Sequence, residues 1–219
     1  MYRSRLRAVL SGLAFLTATA VLAQTNKTPD KNEIGLVVGA TETPSVGIAA
    51  AGAIHLNSSI ALGAEYDRRL LGKRTTLYVG VDFLASPADI KVSLPPSAII
   101  PEYASLFLSP HVKVKFDSTG TFQPWLSFGG GYANFTPASP RSGTVNVTGQ
   151  GSSGTLEFGG GVDTKPLIHL KGVPVLRDLP IGARIEVRDF YSGQPRYGVE
   201  TQGTLQNNVA FTGGLLIRF

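Results

Sequence analysis

The segment from Asn208 to Phe219 alternates. Val209, Phe211, Gly213, Leu215, Ile217 and Phe219 fall on one side of a period-two pattern, and Ala210, Thr212, Gly214, Leu216 and Arg218 on the other. Successive side chains of a strand point to opposite faces, so this segment predicts a strand with one apolar and one small or polar face. The same period predicts seven strands upstream: Ile34–Thr41, Ser59–Leu70, Thr76–Ala85, Tyr103–Phe116, Phe122–Phe135, Gly154–Lys165 and Ile181–Tyr191. Each has an apolar face, such as Leu77, Val79, Val81 and Phe83 in the third and Ile181, Ala183, Ile185 and Val187 in the seventh. Gly47–Leu56 continues the even-numbered phase of Ile60 and Leu62. It is therefore read as a projection of the second strand, not as a ninth.

The connections alternate in length. Those after the first, third, fifth and seventh strands run 16 to 18 residues. Leu71–Thr75 and Asp117–Thr121 are short, and Pro166–Pro180 is a longer, proline-rich turn. Long external loops, short periplasmic turns and an even strand count mark transmembrane barrels. The predicted fold is all-β: an eight-stranded antiparallel up-and-down transmembrane β-barrel. A soluble lipocalin-like barrel also has eight strands, but its apolar face points inward and its charges point to water. The face that carries the charges separates the two.

The phase opposite the apolar one holds Glu65, Asp67, Arg69, Asp82, His111, Lys113, Lys115, Glu157, Asp163, Lys165, Arg184, Glu186, Arg188 and Arg218. Six carboxylates thus stand against seven Lys or Arg. A lipid-facing Arg or Lys at the membrane mid-plane costs roughly 2–4 kcal/mol, so these side chains are expected to face the lumen. Eight strands leave an interior just wide enough for side chains to fill. Glu65, Asp67, Arg69, Asp82, Lys113, Glu157, Arg184, Glu186, Arg188 and Arg218 are therefore expected to pair as a lumen charge network and plug the barrel. The near-zero sum argues against an ion pathway, which favours one sign. Two triplets, Gly129-Gly130-Gly131 and Gly159-Gly160-Gly161, fall on the fifth and sixth strands. A hairpin centred near Val145 pairs Gly129 with Gly161 and Gly131 with Gly159, and sets Tyr132 opposite Phe158. The result is a bare patch of wall for a long side chain, an Arg or Trp125.

Composition sharpens the picture. The chain is 42% hydrophobic and 16% charged, with 26 Gly and no Cys, which excludes disulfides and thiolate metal sites. Arg3, Arg5 and Arg7 precede an apolar run from Ala8 to Ala20, and Val21-Leu22-Ala23 supplies small residues for cleavage. This predicts a signal peptide over residues 1–23, a mobile leader over 24–32 and a barrel over 33–219. Without the three signal-peptide arginines, 17 basic residues face 15 acidic ones. No basic patch with interleaved aromatics remains, so nucleic acid is not an expected partner. Tyr66, Tyr78, Tyr103, Tyr132, Tyr191, Phe116, Phe122 and Phe219 fall near strand ends, where aromatic girdles form.

Four segments carry a resemblance: Gln123–Tyr132, Leu156–Asp163, Arg184–Tyr191 and Gly213–Phe219. On these the chain resembles the small outer-membrane β-barrel family of OmpA and OmpX type. The resemblance implies outer-membrane localisation, contact with outer-membrane lipid and lipopolysaccharide, and recognition by the barrel-insertion machinery through Phe211, Leu215, Ile217 and Phe219. It implies architecture more than activity, since such families include anchors, adhesins, channels and, rarely, enzymes. An OmpA-type peptidoglycan-binding domain is not expected, because the sequence ends with the predicted barrel.

The expected function is non-enzymatic: an envelope role, or display of loops to an extracellular partner. The candidate loops are Ser86–Glu102 (with Ala98, Ile99 and Ile100), Thr136–Ser153 and Ser192–Gln206. The alternatives are a narrow channel for ions or small apolar solutes and a lipid-modifying enzyme. A barrel deacylase needs a Ser, a His base and an orienting acid. The chain has His55, His111 and His169, with Ser109 near His111, but no His-x-Ser arrangement. No two His are placed to converge on a metal, so no catalytic, cofactor or metal residues are assigned.

Deleting Phe219, or changing it to Asp, should reduce the folded, heat-modifiable band in membrane fractions. An unchanged folded fraction would remove the insertion signal from this position.

Overall fold

The computed structural model describes residues 31–44, 46–48, 52–56, 58–72, 74–86, 92–93, 103–137, 151–170, 179–194 and 203–219. The expected signal peptide, nearly all of the leader and most of the three candidate loops, including Ala98, Ile99 and Ile100, lie outside them.

Eight long strands form the molecule: β1 (Asn32–Glu42), β2 (Ser59–Leu71), β3 (Thr75–Ser86), β4 (Tyr103–Phe116), β5 (Phe122–Pro137), β6 (Gly151–Thr164), β7 (Leu179–Gly193) and β8 (Val209–Arg218). Each pairs antiparallel with the next. β8 also pairs with β1, with Glu33 opposite Arg218 and Glu42 opposite Val209, so the sheet closes without an edge. Reciprocal backbone bonds of 2.9 Å between Asn32 and Phe219 fasten the seam. The Tyr66 hydroxyl donates to Asn32 Oδ1 at 2.9 Å.

Alternation then sorts the side chains. Leu36, Val38, Ile60, Leu62, Leu126, Phe128, Phe158, Val187 and Leu215 are exposed on the outer wall, and Ile185 is 72% exposed. Glu157, Asp163, Lys113 and Arg184 are buried inside. A water-soluble barrel has the opposite arrangement; this one suits hydrocarbon outside and polar contacts within.

Three details differ from the pattern-based expectation. Gly47–Leu56 does not extend β2. Val46–Ile48 pairs with Gly52–Leu56, which also pairs with Val92–Ser93 in a separate small sheet. Since β1 ends at Glu42, a projecting β2 has no barrel neighbour on that side, and local pairing satisfies its backbone instead. The proline-rich turn is also partly a ladder. Ile168–Leu170 pairs with Leu179–Ile181, so β7 starts two residues earlier than expected. Pro180 sits at a strand start, where a missing N–H is tolerated.

The glycine triplets do not face each other. The β5–β6 register sets Trp125 opposite Gly161, Ser127 opposite Gly159, Gly129 opposite Glu157 and Tyr132 opposite Gly154. On the outside Phe128, not Tyr132, meets Phe158, with ring centroids 5.1 Å apart. The shift is four residues, so every side chain keeps its face. It matches large residues to bare ones, whereas glycine against glycine leaves a void. Trp125 lies on the bare wall, as the triplets suggested: a Cβ at Gly161 would stand 2.7 Å from its Cζ2.

Gly161→Ala should therefore overpack the lumen and cost about 1–3 kcal/mol. Gly154→Ala, whose Cβ would meet only Gly131 O at 4.0 Å, should cost less. Urea midpoints of the refolded barrels compare the two.

Candidate functional site

The lumen is the site, and it is layered. β1, β8 and the turns between β2 and β3 and between β4 and β5 define one end, called the turn end here because both chain termini of the barrel lie there. Charged side chains fill the turn-end half. Glu33 Oε2 lies 2.5 Å from Lys115 Nζ, and its Oε1 accepts from Arg218 Nε at 3.1 Å. Asp163 accepts from Arg184 Nε and Nη2 at 2.7 and 2.9 Å and stands 2.7 Å from Lys115. Glu65 pairs with Lys113 and Arg184 and lies 2.9 Å from Arg188 Nη2. Asp67 accepts from Lys113 Nζ at 2.5 Å and lies 2.9 Å from His111 Nε2. These pairs join β1 to β4, β2 to β4 and β2 to β7, so they cross the lumen rather than run along one strand.

Trp125 sits among the cations. Lys113 Nζ is 4.5 Å from its ring centroid, Arg184 Cζ 5.1 Å and Arg188 Cζ 5.2 Å, while Nε1 donates to Asp163 Oδ1 at 3.1 Å. The ring's negative face attracts cations, and Asp163 accepts the N–H that burial would otherwise strand. Nearer the loops, Arg188 holds three carboxylates. It pairs with Glu157, lies 3.2 Å from Glu186 Oε1 through Nε and 3.3 Å from Asp82 Oδ2 through Nη1. Thr212 donates to Glu186 at 2.9 Å.

Beyond the charges comes an apolar layer. Phe107 of β4 stacks on Phe190 of β7 at 4.6 Å and meets Phe135 edge-on at 5.9 Å. Leu84, Ala61, Ala133 and Ala210 are buried with them. A ring of small polar groups follows: Ser86 donates to Ser59 at 2.6 Å, Thr43 to Asn208 at 3.3 Å and Asn208 to Ser192 at 3.0 Å.

Of the residues expected in the network, Glu65, Asp67, Asp82, Lys113, Glu157, Arg184, Glu186, Arg188 and Arg218 come together inside the barrel. Arg69 does not join them; its Nη2 donates to Gly72 O at 2.6 Å and caps the first turn. Lys165 lies at the rim, its side chain 39% exposed, and donates to Ser118 O at 2.9 Å. Phe211 and Leu215 are exposed on the lipid side of β8. Glu33 lies outside the expected first strand, which starts at Ile34, two residues after the observed start at Asn32; its inward phase follows from that of Ile34. Phe107 and Phe190 share the phases of Lys113 and Arg188, but charges drew attention away from them.

His111 Nε2 faces Asp67 and Glu65, and Ser109 Oγ makes no hydrogen bond, so the two do not form a nucleophile–base pair. His169 is exposed at the turn end. Ligand atoms of Glu65, Asp67 and His111 lie within 4.8 Å of one another. The Lys113 ammonium already bridges the two carboxylates there.

No protein-family model and no curated protein matches the sequence. Solved structures do. Neisserial surface protein A aligns at 12% identity over 86% of this chain and 97% of its own, with a TM-score of 0.52. Outer membrane protein W of E. coli aligns at 16% identity over 89% and 100%, with a TM-score of 0.45. The outer membrane enzyme PagL aligns at 14% identity over 85% and 99%, with a TM-score of 0.41. The chain is a small eight-stranded transmembrane β-barrel of the outer-membrane type.

Removing one member of a buried ion pair strands its partners, at about 3–5 kcal/mol. Glu33→Ala, which leaves Lys115 and Arg218 without their shared carboxylate, should lower the urea midpoint of the refolded barrel. Val187→Ala on the outer wall should lower it less. Equal losses would contradict the division of roles between the two faces.

Proposed function

We propose that this protein is a sealed, non-enzymatic barrel of the outer membrane that acts through its surface and loops. The observation that carries this reading is the double closure of the lumen. The charged layer locks side chains across the barrel, and the Phe107–Phe190 stack closes the next level. An ion entering from the loop end meets an aromatic layer with no water-binding groups, then paired charges whose mutual attraction is strong in a protected interior. A channel needs a continuous polar path, and the buried Phe107–Phe190 stack interrupts the polar lining.

The same layers weigh against a lipid-modifying activity. Ser109 and His111 are buried between the aromatic layer and the carboxylates, where an acyl chain in the membrane cannot reach them. What then faces the surroundings is the outer wall, suited to lipid, and the connections at the loop end. The bound partner is expected among extracellular molecules that those connections contact.

Purified barrel in planar bilayers should show no steady conductance in concentrated KCl. Arg184→Ala with Arg188→Ala, or Phe107→Ala with Phe190→Ala, should each produce occasional openings, and the four changes together should produce more. Stable, ion-selective openings of the unmodified protein would reject the seal and put the channel reading first.

A further inference from the structure

Alternation leaves three charged residues on the outer wall of the eight strands: Arg68 on β2, Glu42 on β1 and Asp189 on β7. They are not scattered. Following paired residues once round the barrel from Asn32, through Arg68 and Asp189, leads back to β1 at Glu42, ten residues further on. Ten strand residues at the usual tilt of about 40° climb about 25 Å along the axis, which is about the height of the apolar band in such barrels. Arg68, opposite Asn32, therefore marks the turn-end border of that band. Glu42 marks its loop-end border, and Asp189 lies close below, since both pair with Val209. The outer wall carries a cation at one border and carboxylates at the other.

Arg68 has no anion of its own. Its side chain is exposed and forms no ion pair or hydrogen bond with a described residue. Asp67 beside it and Glu33 on β1 point into the lumen, where Lys113 holds the first and Lys115 and Arg218 the second. Two more exposed cations stand at the same rim. Lys31 precedes β1, and its carbonyl accepts from Arg69 N at 2.7 Å; Arg74 precedes β3. Asp117, on the neighbouring turn, is already engaged: it accepts from Gln123 Nε2 at 3.1 Å and lies 4.0 Å from Lys165. Three cations on adjacent strands thus share one rim without a free carboxylate among them.

A guanidinium on the lipid-facing side of a strand, at the border of the apolar band, meets headgroups. Tyr66 is the next outward residue on the membrane side, and its hydroxyl donates to Asn32 Oδ1 at 2.9 Å. Its ring lies at the depth where aromatic side chains settle between hydrocarbon and water. Val79, opposite Arg68 on β3, and Leu70, the next outward residue toward the turn, are apolar and exposed. A planar guanidinium matches a phosphate through two parallel N–H bonds. We propose that Arg68, with Lys31 and Arg74 at the rim, seats the phosphate of an anionic glycerophospholipid in the turn-end leaflet, its acyl chains lying along Tyr66 and Val79. A zwitterionic headgroup is bound less well, because no free carboxylate is there to meet its ammonium. At the other border Glu42 and Asp189 repel the same anionic headgroup, so the preference belongs to one leaflet.

The test uses the mature barrel refolded into bilayers of equimolar phosphatidylglycerol and phosphatidylcholine with identical chains, then extracted into mild detergent. Lipid retained by the folded, heat-modifiable fraction is identified by mass spectrometry. Phosphatidylglycerol should be enriched over phosphatidylcholine at low salt, and the enrichment should shrink in concentrated NaCl. Arg68→Gln should cut the ratio about fivefold, the worth of one basic residue near an anionic surface. Because Arg68 holds no ion pair, the same change should leave the urea midpoint of the barrel as it was, which separates lost binding from lost folding. Lys31→Gln with Arg74→Gln should also lower the ratio. Glu42→Gln with Asp189→Asn, at the other border, should not. Equal retention of the two lipids by the folded, unmodified barrel overturns the proposal and leaves the rim to a water-soluble acidic partner. An enrichment that survives Arg68→Gln, or that falls as far when Glu42 and Asp189 are neutralised, overturns it as well.

Discussion

Closure of the backbone is the constraint on which the rest depends. In hydrocarbon no water satisfies a free N–H or C=O, so a sheet can cross only if its last strand pairs with its first. Here the ladder from Glu33–Arg218 to Glu42–Val209 does this, and the Asn32–Phe219 bonds finish it. Closing at eight strands fixes a lumen that side chains can fill. The lumen then becomes the place where charged residues reside without meeting lipid. The seam and the salt bridges are two consequences of one geometry.

Much of this was legible in the alternation of residues. Arg184, Glu186 and Arg188 on β7 name the inner face directly, since no other arrangement places three charges one residue apart in a membrane-crossing strand. Leu215, Ile217 and Phe219 name the outer face of β8 as plainly. Phase alone was less informative about pairing. The β5–β6 register depends on the fit of Trp125 against Gly161, a contact between strands that no single-strand pattern encodes. Gly47–Leu56 kept the phase of β2 yet paired elsewhere, because phase reports a face and says nothing of which neighbour is present.

The functional layer was harder to read. Charges stand out in a sequence of low polarity, so the network was visible except for Glu33, which lies before the expected strand start at Ile34, two residues after the observed one. Phe107, Phe135 and Phe190 look like ordinary strand aromatics. Only their inward position and mutual contact make them a barrier. The sequence count of six carboxylates against seven bases included Arg69 and Lys165, which sit at the turns and compensate nothing inside.

Trp125 has a further consequence. It is the single tryptophan of the chain, and it is 1% exposed in the middle of the charge network. Lys113, Arg184 and Arg188 around its ring and Asp163 at its N–H set the electric field that governs its emission. Tryptophans of membrane proteins are enriched at the lipid boundary, where their fluorescence reports the membrane. In this one, excitation of the indole reports the lumen from within. The protein thus contains its own optical probe of the region that distinguishes a sealed barrel from an open one.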